Sequence, residues 1–221
     1  MKWFKKRKYP IYWENYLKSF NKKQNINLDE LKFIVFDTET TGLDVDNDRI
    51  LSIGTIAVNK NILKVNDSLE CYLKQDFFNS ETVKIHGLLK ENKKHKIDEE
   101  KAIILFLEHI KNSVLVAHHA AFDIAMINQS LKRLGLPKLK NKVIDTGVLF
   151  KKTSSKNSKN HFSLDELSKR FNIPSHDRHT ASGDAYITAI LFLKLISIIK
   201  NNNTKTTLNQ LLQNKKRIGL L

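Results

Sequence analysis

The stretch LKFIVFD (31–37) constrains this chain more than any other: it is a nearly continuous apolar run of strand length that ends in an acid. Side chains alternate across a strand, so a run apolar on successive residues needs cover on both faces. That suits a central strand with helices on either side of its sheet. Asp37 and Glu39 then stand two apart in FDTETTG (36–42), and in an extended segment both carboxylates face the same way. Two such acids at the end of a buried strand repel each other unless a cation lies between them. The bland reading is a solvated strand end, since D-x-E is common by chance. Thr40, Thr41 and Gly42 add a turn where backbone can approach a ligand closely.

The remaining pattern places this strand in a mixed sheet. RILSIGTIAVNK (49–60) and NILKVNDSLECYL (61–73) alternate in part, and Asn59-Lys60-Asn61 makes a hairpin turn between them. Residues 99–112 have helical spacing, VLVA (114–117) reads as a short buried strand, and AAFDIAMINQSLKRL (120–134) reads as a helix stopped by Gly135 and Pro137. KVIDT (142–146) is a further strand. SLDELSKRF (163–171) is a short helix with Ser163 and Glu166 spaced as a capping box. ASGDAYITAILFLKLISIIK (181–200) is a long, largely buried helix, and residues 151–161 read as an exposed basic loop. A hairpin followed by strands alternating with helices predicts an α/β fold, a mixed five-stranded sheet flanked by helices. In such sheets ligands collect at the carboxyl ends of the parallel strands.

Residues 1–30 stand apart as a basic, aromatic N-terminal extension, with eight Lys or Arg against three acids. Tyr12, Tyr16 and Phe20 fall at helical spacing, which predicts a short helix after Pro10 packed on the main domain (31–200), rather than a nucleic-acid or membrane-surface arm. Residues 201–221 form an acid-free, basic tail in which Thr207–Gln213 supplies an amphipathic turn or two. The net charge of +15 favours an anionic partner such as nucleic acid, with a solubilising surface as the plain alternative. Cys71 is the single cysteine, so no intrachain disulfide forms and a reducing compartment fits. No apolar run is read as a membrane span, and the basic N-terminus lacks the apolar core of a signal peptide. A cytoplasmic, membrane-free protein is expected.

Two further blocks carry chemistry, AHHAAFD (117–123) and HTASGDA (179–185). Asp123 falls near the first turn of a helix, where an acid also complements the helix dipole. His118 and His119 are adjacent, so on a strand end they should point to opposite faces and at most one should reach a site. His179 and Asp184 bracket the start of the last long helix. An ordinary imidazole titrates near pH 6.5, suited to taking a proton from water, although most loop histidines, such as His161 and His176, do nothing chemical. Zinc is poorly supported by one Cys and no H-x-x-x-H spacing.

In order and spacing the three blocks resemble the exonuclease motifs of the DnaQ-like family, the DEDD exonucleases. His179 and Asp184 keep the H-x-x-x-x-D spacing of the subgroup with His in its third motif. The softer markers IHGL (85–88), VIDTGVLF (143–150) and SLDELSKRF agree. The resemblance implies a ribonuclease H-like fold and 3′→5′ release of nucleoside 5′-monophosphates from nucleic acid, DNA above all, by two-metal hydrolysis. It implies Asp37, Glu39, Asp123 and Asp184 as ligands of two Mg²⁺ or Mn²⁺ ions. His179 would be the general base, and Glu39 would count among the catalytic groups. Thr40, Thr41, Gly42, Leu43, His86, His119 and Phe122 would line the substrate. Single-stranded 3′ ends are the partner expected, joined by a DNA polymerase if the enzyme is a proofreading subunit rather than a stand-alone exonuclease. His119 stands where many relatives carry Asn, which affects a substrate contact and not the ligands. The rivals are a non-catalytic nucleic-acid-binding or polymerase-associated scaffold, which would usually have lost one of the five residues, and an RNA-trimming exoribonuclease.

Overall fold

The computed structural model describes residues 8–21, 27–75, 95–153, 161–203 and 205–212. The apolar run becomes β1 (Lys32–Thr40), the middle of a mixed sheet. Antiparallel to it lies β2 (Ile50–Asn59), which pairs in turn with β3 (Ile62–Leu73). Between β2 and β3 only Lys60 and Asn61 remain, both left-handed (φ 51° and 58°), as a two-residue hairpin loop matched to strand twist requires. On the other side β1 runs parallel to β5 (Val114–Ala117), which pairs with β6 (Val143–Asp145). A two-residue strand, β4 (Lys96–Ile97), adds to the outer edge of β3. The order is β4-β3-β2-β1-β5-β6, so the sheet has six strands where five were expected. Two residues are too few to leave a periodic signal in sequence.

Alternation along β1 divides the core. Ile34 and Phe36 face a cluster with Phe106 and Ile103 of α2 (Glu99–Ile110) and with Met126 and Ile127 of α3 (Ala121–Arg133). Phe33 and Val35 face Leu149 and Phe150 of α4 (Thr146–Thr153), Leu164 and Leu167 of α5 (Leu164–Arg170), and the long α6 (Ala181–Asn202). Ring centroids at 5.0 Å for Phe33–Phe192 and 5.6 Å for Phe36–Phe106 mark the two layers. The capping box of α5 forms as spaced, with Ser163 Oγ accepting from Glu166 N and Glu166 accepting from Ser163 N. Lys151, Lys152 and Thr153, expected in a loop, close the last turn of α4 instead; positions 154–160 lie outside the described residues.

By length and apolar composition alone α6 could cross a membrane, which the expectation of no span did not anticipate. Its role in this fold is different: it covers the sheet, burying Ile187, Leu191, Phe192 and Leu195.

Near the N-terminus α1 (Ile11–Ser19) follows Pro10 and packs into the α2–α3 layer. Trp13 is fully buried, and Tyr16 Oη donates to Asn141 Oδ1 at 2.7 Å while accepting from Lys140 N at 2.8 Å. Trp13→Ala should therefore destabilise the fold by about 3–5 kcal/mol, as cavity formation does for large aromatics. Urea denaturation checks this, with an unchanged midpoint showing that α1 is dispensable. After α6, α7 (Leu208–Leu212) returns Leu208 and Leu211 to the same layer as α4.

Candidate active site

The site lies at the carboxyl ends of β1 and β5, where the sheet stops and its acids emerge. Alternation puts Asp37 and Glu39 on one side of β1, partly exposed, and buries Thr38 and Thr40 between and after them. A bulge between Glu39 and Thr40, against β2, ends the regular pairing next to the two acids. β1 pairs with β5 only as far as Val35 opposite Val116. Beyond that point Asp123 takes over: its Oδ1 accepts from Thr38 N at 3.0 Å and Thr38 Oγ1 at 2.7 Å. Thr38 thus fixes Asp123 against the strand that carries Asp37, a positioning role the sequence reading missed.

Asp184 arrives from the other layer. The first residues of α6 cross β2 at Gly54, where a β-carbon would overlap the backbone of Ala181 and Ser182. This close approach brings the first turn of α6 down to the sheet and buries Asp184. One ligand atom from each of Asp37, Glu39 and Asp184 lies within 4.8 Å of the others. Asp123 is close enough that its charge raises the cost of ionising Asp37.

His179 sits on an exposed turn before α6 in a left-handed conformation (φ 62°), as does Asp177 (φ 55°). Its backbone N–H approaches Asp184 Oδ1 at 3.4 Å, and Thr180 Oγ1 ties the turn to Asp177 O at 2.7 Å while capping α6 through Gly183 N. Arg178, unremarked in the sequence, is the site's own cation. Its Nε donates to Asp165 Oδ1 at 2.7 Å and its Nη1 to Asp184 Oδ2. A lone basic residue beside the third acidic block was the available signal, because clustered acids need a counter-charge.

The electrostatics follow. Burial first, then Asp123, Asp184 and Glu39, push the Asp37 carboxyl well above the carboxylate range, and Arg178 offsets only part of this. Burial, Asp184 and Asp123 raise Glu39 to about 7, with Arg178 again opposing. Burial raises Asp123 to about 7 against the opposing Thr38 hydrogen bonds. Burial disfavours the charge of Arg178, but Asp165 and Asp184 outweigh it and hold the guanidinium protonated. Closely set hard oxygen donors that resist ionisation, with one fixed cation beside them, fit divalent Mg²⁺ or Mn²⁺, which prefer carboxylate oxygen.

This makes stability pH-dependent. Glu39 and Asp123 keep their protons in the folded state to higher pH than in the unfolded chain, so the unfolded state binds fewer protons between about pH 4 and 7. The stability that these two carboxyls contribute to the metal-free protein is therefore fully present below that window and is lost as pH rises through it. Buried His118, lowered to about 4, works in the opposite direction. Added Mg²⁺ should raise the melting temperature at pH 8 far more than at pH 5, where protons compete for the same oxygens. Thermal melts in EDTA and in Mg²⁺ at both pH values check this; equal Mg²⁺ effects would contradict it.

Other expected residues fall differently. The hydroxyls of Thr40 and Thr41 are spent within the turn, on Gly42 O at 2.7 Å and Asp48 Oδ1 at 2.6 Å, so only backbone and Leu43 face outward there. Gly42 leaves room for Asp48, whose carboxylate would overlap a β-carbon at that position. Leu43 is 84% exposed. His86 and the IHGL block lie outside the described residues. His118 and His119 do not diverge as expected, because β5 stops at Ala117 and His119 is left-handed (φ 57°). Their rings lie 4.3 Å apart. His118 is bonded to Thr146 Oγ1 at 2.8 Å and to Phe162 O at 2.9 Å, and burial lowers it to about 4, so it is a neutral strut. His119 and Phe122 line a separate cleft beside the acids.

Residues 34–192 match the RNase T exonuclease family, and the chain belongs to that family. It is 33% identical over 178 residues to the PolC-type DNA polymerase III of Caldanaerobacter subterraneus subsp. tengcongensis, and 33% identical over 178 residues to that of Listeria innocua. Each match covers 80% of this chain but 12% of the polymerase, so the chain spans about an eighth of these relatives. Among solved structures, E. coli exonuclease I in complex with a dT13 oligonucleotide has TM-score 0.67 at 17% identity, covering 78% of this chain and 42% of that one. Exonuclease X in complex with 5′ overhanging duplex DNA has TM-score 0.60 at 23% identity, covering 82% and 97%. The expected ribonuclease H-like fold is thereby established.

Proposed function

We propose that this exonuclease domain removes nucleoside 5′-monophosphates from single-stranded 3′ ends, acting on DNA, by metal-dependent hydrolysis with His179 as general base. The observation that carries the reading is the convergence of Asp37, Glu39 and Asp184 within 4.8 Å, with Asp123 held beside them by Thr38. Asp37, Glu39 and Asp184 would hold one Mg²⁺ or Mn²⁺, and Asp123 with Asp37 a second. When bound, the two ions supply charge neutralisation for the scissile phosphate and for the water and leaving oxygen on either side of it.

The chain's own groups do the rest. An unprotonated ring nitrogen of His179 accepts the proton of the attacking water, a contribution of about 10²–10⁴ in rate. The turn that carries it is anchored by Arg178 to Asp165 and by Thr180 Oγ1 to Asp177 O, with the His179 backbone N–H 3.4 Å from Asp184 Oδ1. Leu43, projecting from the turn after β1, packs on the terminal nucleotide, and the backbone of Thr40–Gly42 lies next to it. The phosphorus–oxygen bond to the 3′ oxygen breaks, leaving a new 3′ hydroxyl and a nucleoside 5′-monophosphate.

DNA is favoured over RNA because the curated relatives are DNA polymerases and the solved neighbours named above hold DNA. Association with a DNA polymerase, and a cytoplasmic location, belong to the same proposal. Degradation of matched 3′-labelled DNA and RNA strands by purified protein tests it. DNA should be consumed at least about tenfold faster; preferential RNA loss would make the protein an RNA-trimming enzyme.

A further inference from the structure

Arg178 joins an acid outside the cluster to one inside it. Its Nε donates to Asp165 Oδ1 at 2.7 Å, and its Nη1 donates to Asp184 Oδ2. The first partner is fixed in place. Asp165 lies in the first turn of α5, whose start is held by the Ser163–Glu166 capping box and by buried Leu164 and Leu167. The second partner belongs to the cluster, since a ligand atom of Asp184 lies within 4.8 Å of those of Asp37 and Glu39. With the His179 N–H 3.4 Å from Oδ1, each oxygen of Asp184 already faces a donor. A guanidinium stays charged at any ordinary pH, and its rigid fork can hold two carboxylates at fixed angles, which an ammonium cannot.

Charge makes this contact more than a brace. A guanidinium and a divalent cation bind the same carboxylate oxygens and repel each other, most strongly where water is scarce. The side chains of Arg178 and Asp184 are 17% and 11% exposed, so this pair is little screened, whereas Asp165 at 50% is open to solvent. The field of the guanidinium also reaches Asp37 and Glu39, favouring their charged forms. Four carboxylates would match two divalent ions charge for charge. With Arg178 in place the loaded site keeps a positive charge that a phosphodiester can take up. We propose that Arg178 is a positioning residue that competes with the metal: it holds Asp184 in the metal-free protein, yields that oxygen when a divalent cation binds, and stays tethered to Asp165 throughout. The inference rests on reading Asp37, Glu39 and Asp184 as metal ligands.

Calorimetric titration of the intact protein with Mg²⁺ at pH 8 and low salt, without nucleic acid, tests this. Arg178→Gln should bind Mg²⁺ about tenfold more tightly than wild type, because one like charge beside the ion is gone. Arg178→Lys, which keeps the charge, should stay close to wild type. In EDTA the melting temperature of Arg178→Gln should fall, since Asp184 loses its counter-charge, and Mg²⁺ should raise it by more than in wild type. A bracing role alone predicts the reverse for affinity, because an unanchored Asp184 is a poorer ligand. Unchanged or weaker Mg²⁺ binding by Arg178→Gln therefore overturns the proposal. Should that variant not fold without metal, nitrogen-15 NMR of the wild type decides. The Arg178 Nε–H signal, assigned by its loss in Arg178→Lys, should shift along the Mg²⁺ binding curve; a signal indifferent to saturating Mg²⁺ overturns the proposal. A wild type that gives neither heat nor a shift with Mg²⁺ would instead sink the reading of the acids as metal ligands, and this proposal with it.

Discussion

Asp37→Ala is expected to reduce strand hydrolysis to background while raising the melting temperature of the metal-free protein. Both effects have one cause. Asp37 sits between Asp123, Asp184 and Glu39, and burial together with these three neighbours makes its charge costly. Removing the carboxylate relieves that repulsion in the empty site, as expected when catalytic groups are held at the expense of stability. It also deletes an acid that neighbours Asp123 as well as Glu39 and Asp184, so neither proposed cation keeps all its ligands. Metal titrations should show weakened binding at both positions. Wild-type rates for Asp37→Ala at saturating Mg²⁺ would refute the two-metal assignment.

His179→Ala should lower turnover by about 10²–10⁴ and leave the half-saturating Mg²⁺ concentration nearly unchanged. Its ring is on an exposed turn, and only its backbone N–H approaches Asp184. The backbone contact survives the substitution, so the proposed ligand keeps its place while the proposed proton acceptor is lost. A parallel loss of metal affinity would make His179 a ligand rather than a base.

Much of this site could be read before any coordinates, for physical reasons. A doubly buried strand leaves a continuous apolar run, so β1 and the acids at its end were legible, and the capping box and the two-residue hairpin loop carry local signals of their own. Legibility fails where the determinant is a tertiary contact. β4 exists only as a short partner for the edge of β3. Thr38 is an ordinary strand residue until β5 stops short and Asp123 claims its N–H. Gly54 looks like a weak point in β2, yet it is where α6 passes close enough to deliver Asp184. Arg178 was lost among 38 basic residues, since only the fold pairs it with Asp165 and Asp184. His119 was misplaced because strand alternation was extended past Ala117, where β5 has already ended.

The most direct measurement follows a 5′-labelled single-stranded DNA through digestion in Mg²⁺, with a parallel reaction in EDTA and chromatography of the released products. The account predicts a ladder shortening one nucleotide at a time from the 3′ end, nucleoside 5′-monophosphate as the sole small product, and no reaction in EDTA. Immediate release of the 5′ label as a mononucleotide, internal fragments without a ladder, or undiminished cutting in EDTA would contradict it.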